Sequence, residues 1–200
     1  MLLMPCASAR TAIEFFTEPG ASAAFGELEQ NTRLDMVDYY TNSLSRTTAN
    51  VLNGPARILA ATDTVLKVQP ARQTLVDLYV LTAGVDTVLM AVETLRLPQP
   101  DSHIDFYDTK WKPLSRKPLE APVLSDWLTE NGRNARREVE LWLPFMLAQA
   151  SYDPATQTLT LTNTLDQYFP DPADRDKLHK WIRPQLTYVW KNRKFTPLYR

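Results

Sequence analysis

Glycine and cysteine are both scarce in this chain, and each scarcity removes a class of chemistry. Five glycines stand against fifteen prolines in 200 residues. The closest two, Gly20 and Gly26, fit neither the G-x-G-x-x-G dinucleotide fingerprint nor a phosphate loop, and no glycine precedes Lys-Ser or Lys-Thr. Nucleotide sites of those two kinds are therefore excluded. Cys6 is the only cysteine, so no intrachain disulfide and no cysteine metal cage can form. Histidine occurs only at His103 and His179. No G-x-S-x-G elbow is present, and Ser102 beside His103 in a strand points to the opposite face, so the two cannot act as a pair. No stretch reaches the roughly 18 consecutive apolar residues that a membrane span needs. A net charge of -1 and a pI near 6.1 give the whole chain no bulk attraction for nucleic acid or anionic lipid.

What is present is an ordinary globular composition, 44% hydrophobic and 22% charged, enough for one well-buried domain or two small ones. The first residues, "MLLMPCASAR", form a short apolar run ending in Ala7-Ser8-Ala9, the A-x-A pattern that precedes signal-peptidase cleavage. This reads as a signal-peptide remnant over residues 1–9, cut after Ala9, which places the protein in the periplasm or at the cell surface. The run has no basic start. A lipid on Cys6, opposed by Pro5, and an ordinary cytosolic N-terminus stay open as alternatives.

The chain then changes period. Asn31 is expected to cap a helix over "NTRLDMVDYY", with Leu34, Val37 and Tyr40 on its apolar face. A second helix is expected over Leu44 to Leu52, ended by Asn53 or Gly54 in the left-handed position and by Pro55. From Thr64 the segments "TVLKVQ", "TLVDLYVLT", "TVLMAVETLRL" and "SHIDFYD" are rich in Val, Leu and Thr, and the breaks between them are too short for crossover helices. They predict a four-stranded antiparallel meander. The proline-rich "KPLSRKPLEAP" marks a boundary near residue 114 between an N-terminal half, 10–114, and a C-terminal α+β half, 115–200. Two units and one shared core are both compatible with it. In the second half, "VLSDWLTEN" predicts a helix ending at Gly132. Two strands follow around Asp153-Pro154, with Leu159, Leu161 and Leu165 on one face, then a helix capped by Asp171 with Pro172 in its first turn, then two strands joined near Asn192. The fold class is α+β, with antiparallel meander sheets and helices before the first strands and between later ones.

Three segments, "NTRLDMVDYY", "DSHIDFYDTKWKPL" and the terminal "YVWKNRKFTPL", resemble a family of uncharacterised exported proteins from Bacteroidales-type bacteria, catalogued only as a domain of unknown function. The resemblance runs from about Ile13 to the end. It implies export through a signal peptide and no particular activity. One departure is His103, where the family pattern more often carries arginine.

Candidate sites are few. Alternation along "DSHIDFYDTKW" puts His103, Asp105 and Tyr107 on one face of a strand and Ile104 and Phe106 on the other, with Trp111 packing over the sheet edge. His103 and Asp105 would lie about 6.5–7 Å apart by strand rise, and His179 would have to complete a metal site, a poor basis for zinc. No metal and no cofactor is expected. Carboxylate pairs such as Asp35 with Asp38, Asp126 with Glu130, or Asp77 with Glu93 offer acid/base chemistry, though acidic surfaces provide such pairs without function. At the C-terminus, Lys177, Lys191, Arg193 and Lys194 interleave with Trp181, Tyr188 and Trp190, the composition of a ligand- or partner-binding surface. Export would remove nucleic acid from its reach. The leading expectation is a non-enzymatic envelope protein that contacts a protein or glycan partner through His103, Asp105, Tyr107, Trp181, Tyr188, Trp190 and Arg193. The competing one is a hydrolase using Asp77, Glu93 or Asp105.

Overall fold

A computed structural model of the chain describes residues 10–83 and 86–198, so the signal-like segment 1–9 lies outside the described residues. Helix α1 (Ala12–Thr17) starts at Thr11, whose hydroxyl accepts from the Glu14 N–H while the Glu14 carboxylate accepts from the Thr11 N–H. This reciprocal capping box satisfies two donors that the first helical turn would otherwise leave unpaired. A 3₁₀ turn at Pro19–Ala23 leads to α2 (Gln30–Thr41).

Helix α2 differs from expectation at its start and on its buried face. Its N-cap is Glu29, so Asn31 lies inside the helix. The buried residues are Arg33 and Met36, whereas Leu34 is 48% and Tyr40 37% exposed. The reason is local hydrogen bonding. Arg33 is only 1% exposed and donates Nε–H to Phe16 O at 2.8 Å, Nη1–H to Leu28 O at 2.5 Å and Nη2–H to Glu18 O at 2.8 Å. These carbonyls sit at and beyond the end of α1, where helical partners run out. Three charge-assisted bonds draw the guanidinium inward and rotate the helix about its axis.

The helix expected over Leu44 to Leu52 is replaced by the two-residue strand β1 (Thr48–Ala49) and a tight turn into β2 (Pro55–Ala61). Asn50 decides this. Its Oδ1 accepts from the N–H groups of Leu52 and Gly54, and its Nδ2 donates to Pro70 O, so the side chain supplies partners that a helical backbone would have supplied. Asn53 adopts φ 58°, as the "NGP" signal implied.

Strands β3 (Val65–Ala71), β4 (Thr74–Ala83), β5 (Asp86–Leu95) and β6 (Asp101–Tyr107) are the expected meander. With β1 and β2 they make a six-stranded antiparallel sheet in sequence order. A second antiparallel sheet has the order β10-β9-β8-β7, from β7 (Ala148–Asp153), β8 (Thr158–Asn163), β9 (Gln185–Lys191) and β10 (Lys194–Pro197). Asn192 and Arg193 both take positive φ, 52° and 60°, which matches the twist of a two-residue hairpin. Between the sheets in sequence lie α3 (Leu124–Trp127), α4 (Glu130–Asn134) and α5 (Arg136–Trp142), and α6 (Pro172–Trp181) precedes β9. Asp171 caps α6 as expected. Gly132, by contrast, sits inside α4 and ends no helix. A Cβ there would lie 2.2 Å from Trp181 O, so glycine is needed for α4 to approach the end of α6.

The first sheet is covered on both faces. On one, Phe15, Phe16, Phe25, Leu28 and Met36 pack on Leu66, Val68, Leu78 and Leu89. On the other, Tyr79, Met90 and Phe106 meet Tyr152, Leu159, Leu186, Trp190 and Phe195 of the second sheet. Double coverage explains the unbroken apolar run in β5, where alternation is lost. The sheets cross: Ala148 and Ala150 of β7 donate to the Asp101 and Ser102 side chains on β6, while Tyr152 meets Tyr79 of β4 at 5.2 Å between ring centroids.

Two predictions follow from this packing. Arg33→Met removes all three donors and leaves buried carbonyls unpaired, so urea unfolding should show a loss of about 3–5 kcal/mol, with Arg33→Lys recovering only part. A loss below about 1 kcal/mol would mean that water satisfies the carbonyls instead. Burial also pushes the phenols of Tyr107 and Tyr152 from near 10 up to about 12, and that of Tyr79 upward as well, with Asp77 adding to the last. A raised folded-state pKa means that this stabilisation is full below the unfolded value near 10 and is lost as pH rises through about 12. Absorbance titration should therefore show a class of tyrosines that ionises only with alkaline unfolding.

Candidate functional site: paired grooves beside residues 112–122

The β6 alternation places Ile104 and Phe106 toward the second sheet and His103, Asp105 and Tyr107 toward the other face. That face is not uniformly open. Tyr107 is 5% exposed, its ring lies 5.4 Å from that of Trp111, and its hydroxyl donates to Ala23 O at 3.2 Å. Trp111 itself is buried, and its Nε1–H donates to Phe15 O at 3.1 Å, so it anchors α1 rather than covering a sheet edge. His103 stays exposed with Nε2 3.2 Å from Asp105 Oδ2, and Asp105 Oδ1 accepts from Lys117 Nζ at 3.1 Å.

The C-terminal aromatics are core residues. Tyr188 and Trp190 share the face of β9 that packs on the first sheet, and Trp190 Nε1–H donates to Thr82 O at 3.1 Å. Trp181 is buried at the end of α6, edge-on to Trp142, with Lys177 Nζ 4.5 Å above its ring. Alternation in β9 that was compatible with a binding surface is thus spent on packing. Arg193, at the hairpin tip, remains at the surface and pairs with Asp86 at 2.8 Å.

Strand register keeps the candidate carboxylates apart. Glu93 lies opposite Val76 and Asp77 opposite Val92, so the two acids project from opposite faces. Asp77 is held by Lys67 at 3.1 Å and by the Tyr79 hydroxyl at 3.0 Å. Each histidine has its own aspartate, His179 lying 3.0 Å from Asp166, and among the described residues no three His, Cys, Asp or Glu side chains converge to hold a metal.

What does converge lies along the proline-rich segment. Pro113 bridges to Tyr107, Leu114 N–H donates to Phe106 O, and Phe195 N–H donates to Pro118 O, so residues 112–122 join β6 of one sheet to β10 of the other. A hollow flanks each side, and Lys117 borders both. The first, about 330 Å³, is walled by Arg116, Lys117, Glu120, Asn192, Arg193 and Lys194, a volume in the lower range for ligand pockets. Lys194 pairs with Glu120 at 3.0 Å, and that hydrogen bond, with the charges of Lys194 and Arg116, holds the Glu120 carboxyl below the usual range. The second, about 260 Å³, is lined by Ile104, Leu119, Pro122, Met146 and Leu161 and is apolar enough to take a side chain. Lys117, Arg193 and Lys194 are paired by exposed acids, and such solvent-screened pairs are weak enough for a ligand to exchange with them. Lys117 and Leu119 escaped the sequence reading because each hollow is walled by segments far apart in the chain, and no local spacing signals that.

The fold defines the chain as an α+β protein of two packed antiparallel sheets. It belongs to the family described as "Protein of unknown function (DUF3256)", whose profile matches residues 8–195. Among solved structures, it is similar to a domain of an uncharacterized protein from Porphyromonas gingivalis W83, with 21% identity, a TM-score of 0.73 and coverage of 92% of this chain and 96% of that one. That likeness is one of fold. A comparison with curated proteins gave no match. Among the described residues no helix is long and apolar enough to cross a membrane.

Because the Lys117 and Asp105 side chains are both more than a third exposed, Lys117→Met should change unfolding free energy by less than about 0.5 kcal/mol. Chemical denaturation checks this; a larger loss would make Lys117 a structural residue rather than a free wall of the grooves.

Proposed function

We propose that the protein is a non-enzymatic, exported component of the cell envelope that binds a protein partner through the two grooves beside residues 112–122. The carrying observation is that Lys117 borders a cation-walled hollow and an apolar one. An extended peptide with alternating acidic and aliphatic side chains matches that pair: its carboxylates exchange with Glu120, Asp86 and Asp105 for the cations, and one aliphatic side chain enters beside Leu119 and Met146. The apolar floor favours a peptide over a glycan. Its aromatic members, Phe106 and Trp127, are each 2% exposed and offer no ring face for a sugar to stack on. Export is supported by the Ala7-Ser8-Ala9 pattern and by the resemblance to exported Bacteroidales-type proteins.

The binding reading is tested with a fluorescein-labelled glutamate–leucine peptide. It should bind at micromolar to millimolar concentration, with affinity falling as salt rises, and an R116E/K117E/R193E variant should lose about tenfold or more. Equal binding of a lysine–leucine peptide, or an unaffected variant, would sink it. Export is tested separately: the envelope fraction should contain a chain starting at Arg10, and a chain retaining residues 1–9 in the cytosolic fraction alone would contradict it.

A further inference from the structure

We propose that the partner is bound as an added β-strand on the open edge of β6, an inference that rests on the peptide-binding reading above and specifies its geometry. The apolar hollow touches four consecutive β6 residues, Asp101 to Ile104. Side chains alternate between faces, so contact with four in a row means that the backbone edge of the strand opens into the hollow.

The bonds that leave β6 show which groups this edge offers. Asp108 N–H donates to Lys112 O and Leu114 N–H to Phe106 O, so the even-numbered residues turn their backbone groups away from β5. Residues 112–114 thus begin a further strand, antiparallel to β6, and then depart from it. The next pair in that ladder belongs to Ile104. Among the described residues its N–H and C=O have no hydrogen-bond partner. Strand β7 supplies none, because it meets β6 through the side chains of Asp101 and Ser102, which accept from the N–H groups of Ala148 and Ala150. A donor and an acceptor left open beside an apolar hollow are poorly hydrated, so an incoming backbone gains more there than on an edge in open water.

Leu114 shows what an incoming residue does. It bonds to Phe106 and packs its side chain against the core between the sheets. A residue opposite Ile104 in the same ladder shares the face of Ile104, beside Leu119, Met146 and Leu161, and an aliphatic side chain suits it. Its neighbours turn to the other face. The preceding residue lies opposite Asp105, where Lys117 Nζ is 3.1 Å from Asp105 Oδ1; an ammonium has three donors, and a second carboxylate fits it. The following residue lies opposite His103, which has Glu93 across from it on β5 and Asp105 3.2 Å from its Nε2, so an uncharged residue suits that position. The edge therefore selects an acid, an aliphatic residue and a neutral one in that order, extended and running opposite to β6.

The probe is fluorescein-labelled Ser-Ser-Glu-Leu-Thr-Ser, titrated with the full chain and followed by fluorescence anisotropy. It should bind at micromolar to millimolar concentration. A methyl group on the leucine nitrogen removes the donor aimed at Ile104 O and should weaken binding about tenfold or more, whereas a methyl on the threonine nitrogen, which points away from β6, should change it less than about threefold. Bound probe should also slow hydrogen exchange of the Ile104 amide about tenfold. Equal effects of the two methyl groups, no binding of the probe, or an Ile104 amide that exchanges unchanged at saturation would overturn strand addition. The groove reading fails separately, through the glutamate–leucine peptide and the R116E/K117E/R193E variant. Charge-dependent binding of that peptide, with the two methyl groups equivalent in the probe, removes this inference alone.

Discussion

Two backbone hydrogen bonds, Leu114 N–H to Phe106 O and Phe195 N–H to Pro118 O, hold a proline-rich segment between the edges of two sheets, and the candidate site depends on them. Prolines 113, 118 and 122 carry no N–H and cannot extend a ladder, so the segment touches each sheet at one place and stays out of both. That geometry leaves a hollow on either side. A regular strand in the same position would pair continuously and fill both.

The same economy operates at the other face of the first sheet. Short helices such as α1, only six residues long, are marginal alone and need tertiary contacts. Arg33 supplies them by satisfying carbonyls of Phe16, Glu18 and Leu28 from within the apolar layer. Its cost of desolvation is met by three charge-assisted bonds, and burial pulls its pKa downward without threatening a group that is protonated at any working pH.

Legibility followed the range of the interactions involved. Elements set by neighbouring residues were readable: the β3–β6 meander, the β7–β8 hairpin, the Asp171 cap and the turn at Asn192. Elements set by distant partners were not. The rotation of α2 depends on carbonyls up to seventeen residues away, and the collapse of the 44–52 helix on an asparagine reaching Pro70. The site was the least legible part. Alternation identified which side chains share a face but not what covers it, so Tyr107, Tyr188 and Trp190 are buried while His103 and Arg193 are not.

Register also bears on what the sheet can do. An antiparallel pair places directly opposed residues on one face and offsets of one on the other, so Asp77 and Glu93, one step out of register, are separated by the sheet itself. No side-chain rotation brings them together. Asp105 shares a face with Glu93 but is engaged by Lys117 and His103. Packing against the second sheet on one side and against α1 and α2 on the other largely consumes both faces of the first sheet.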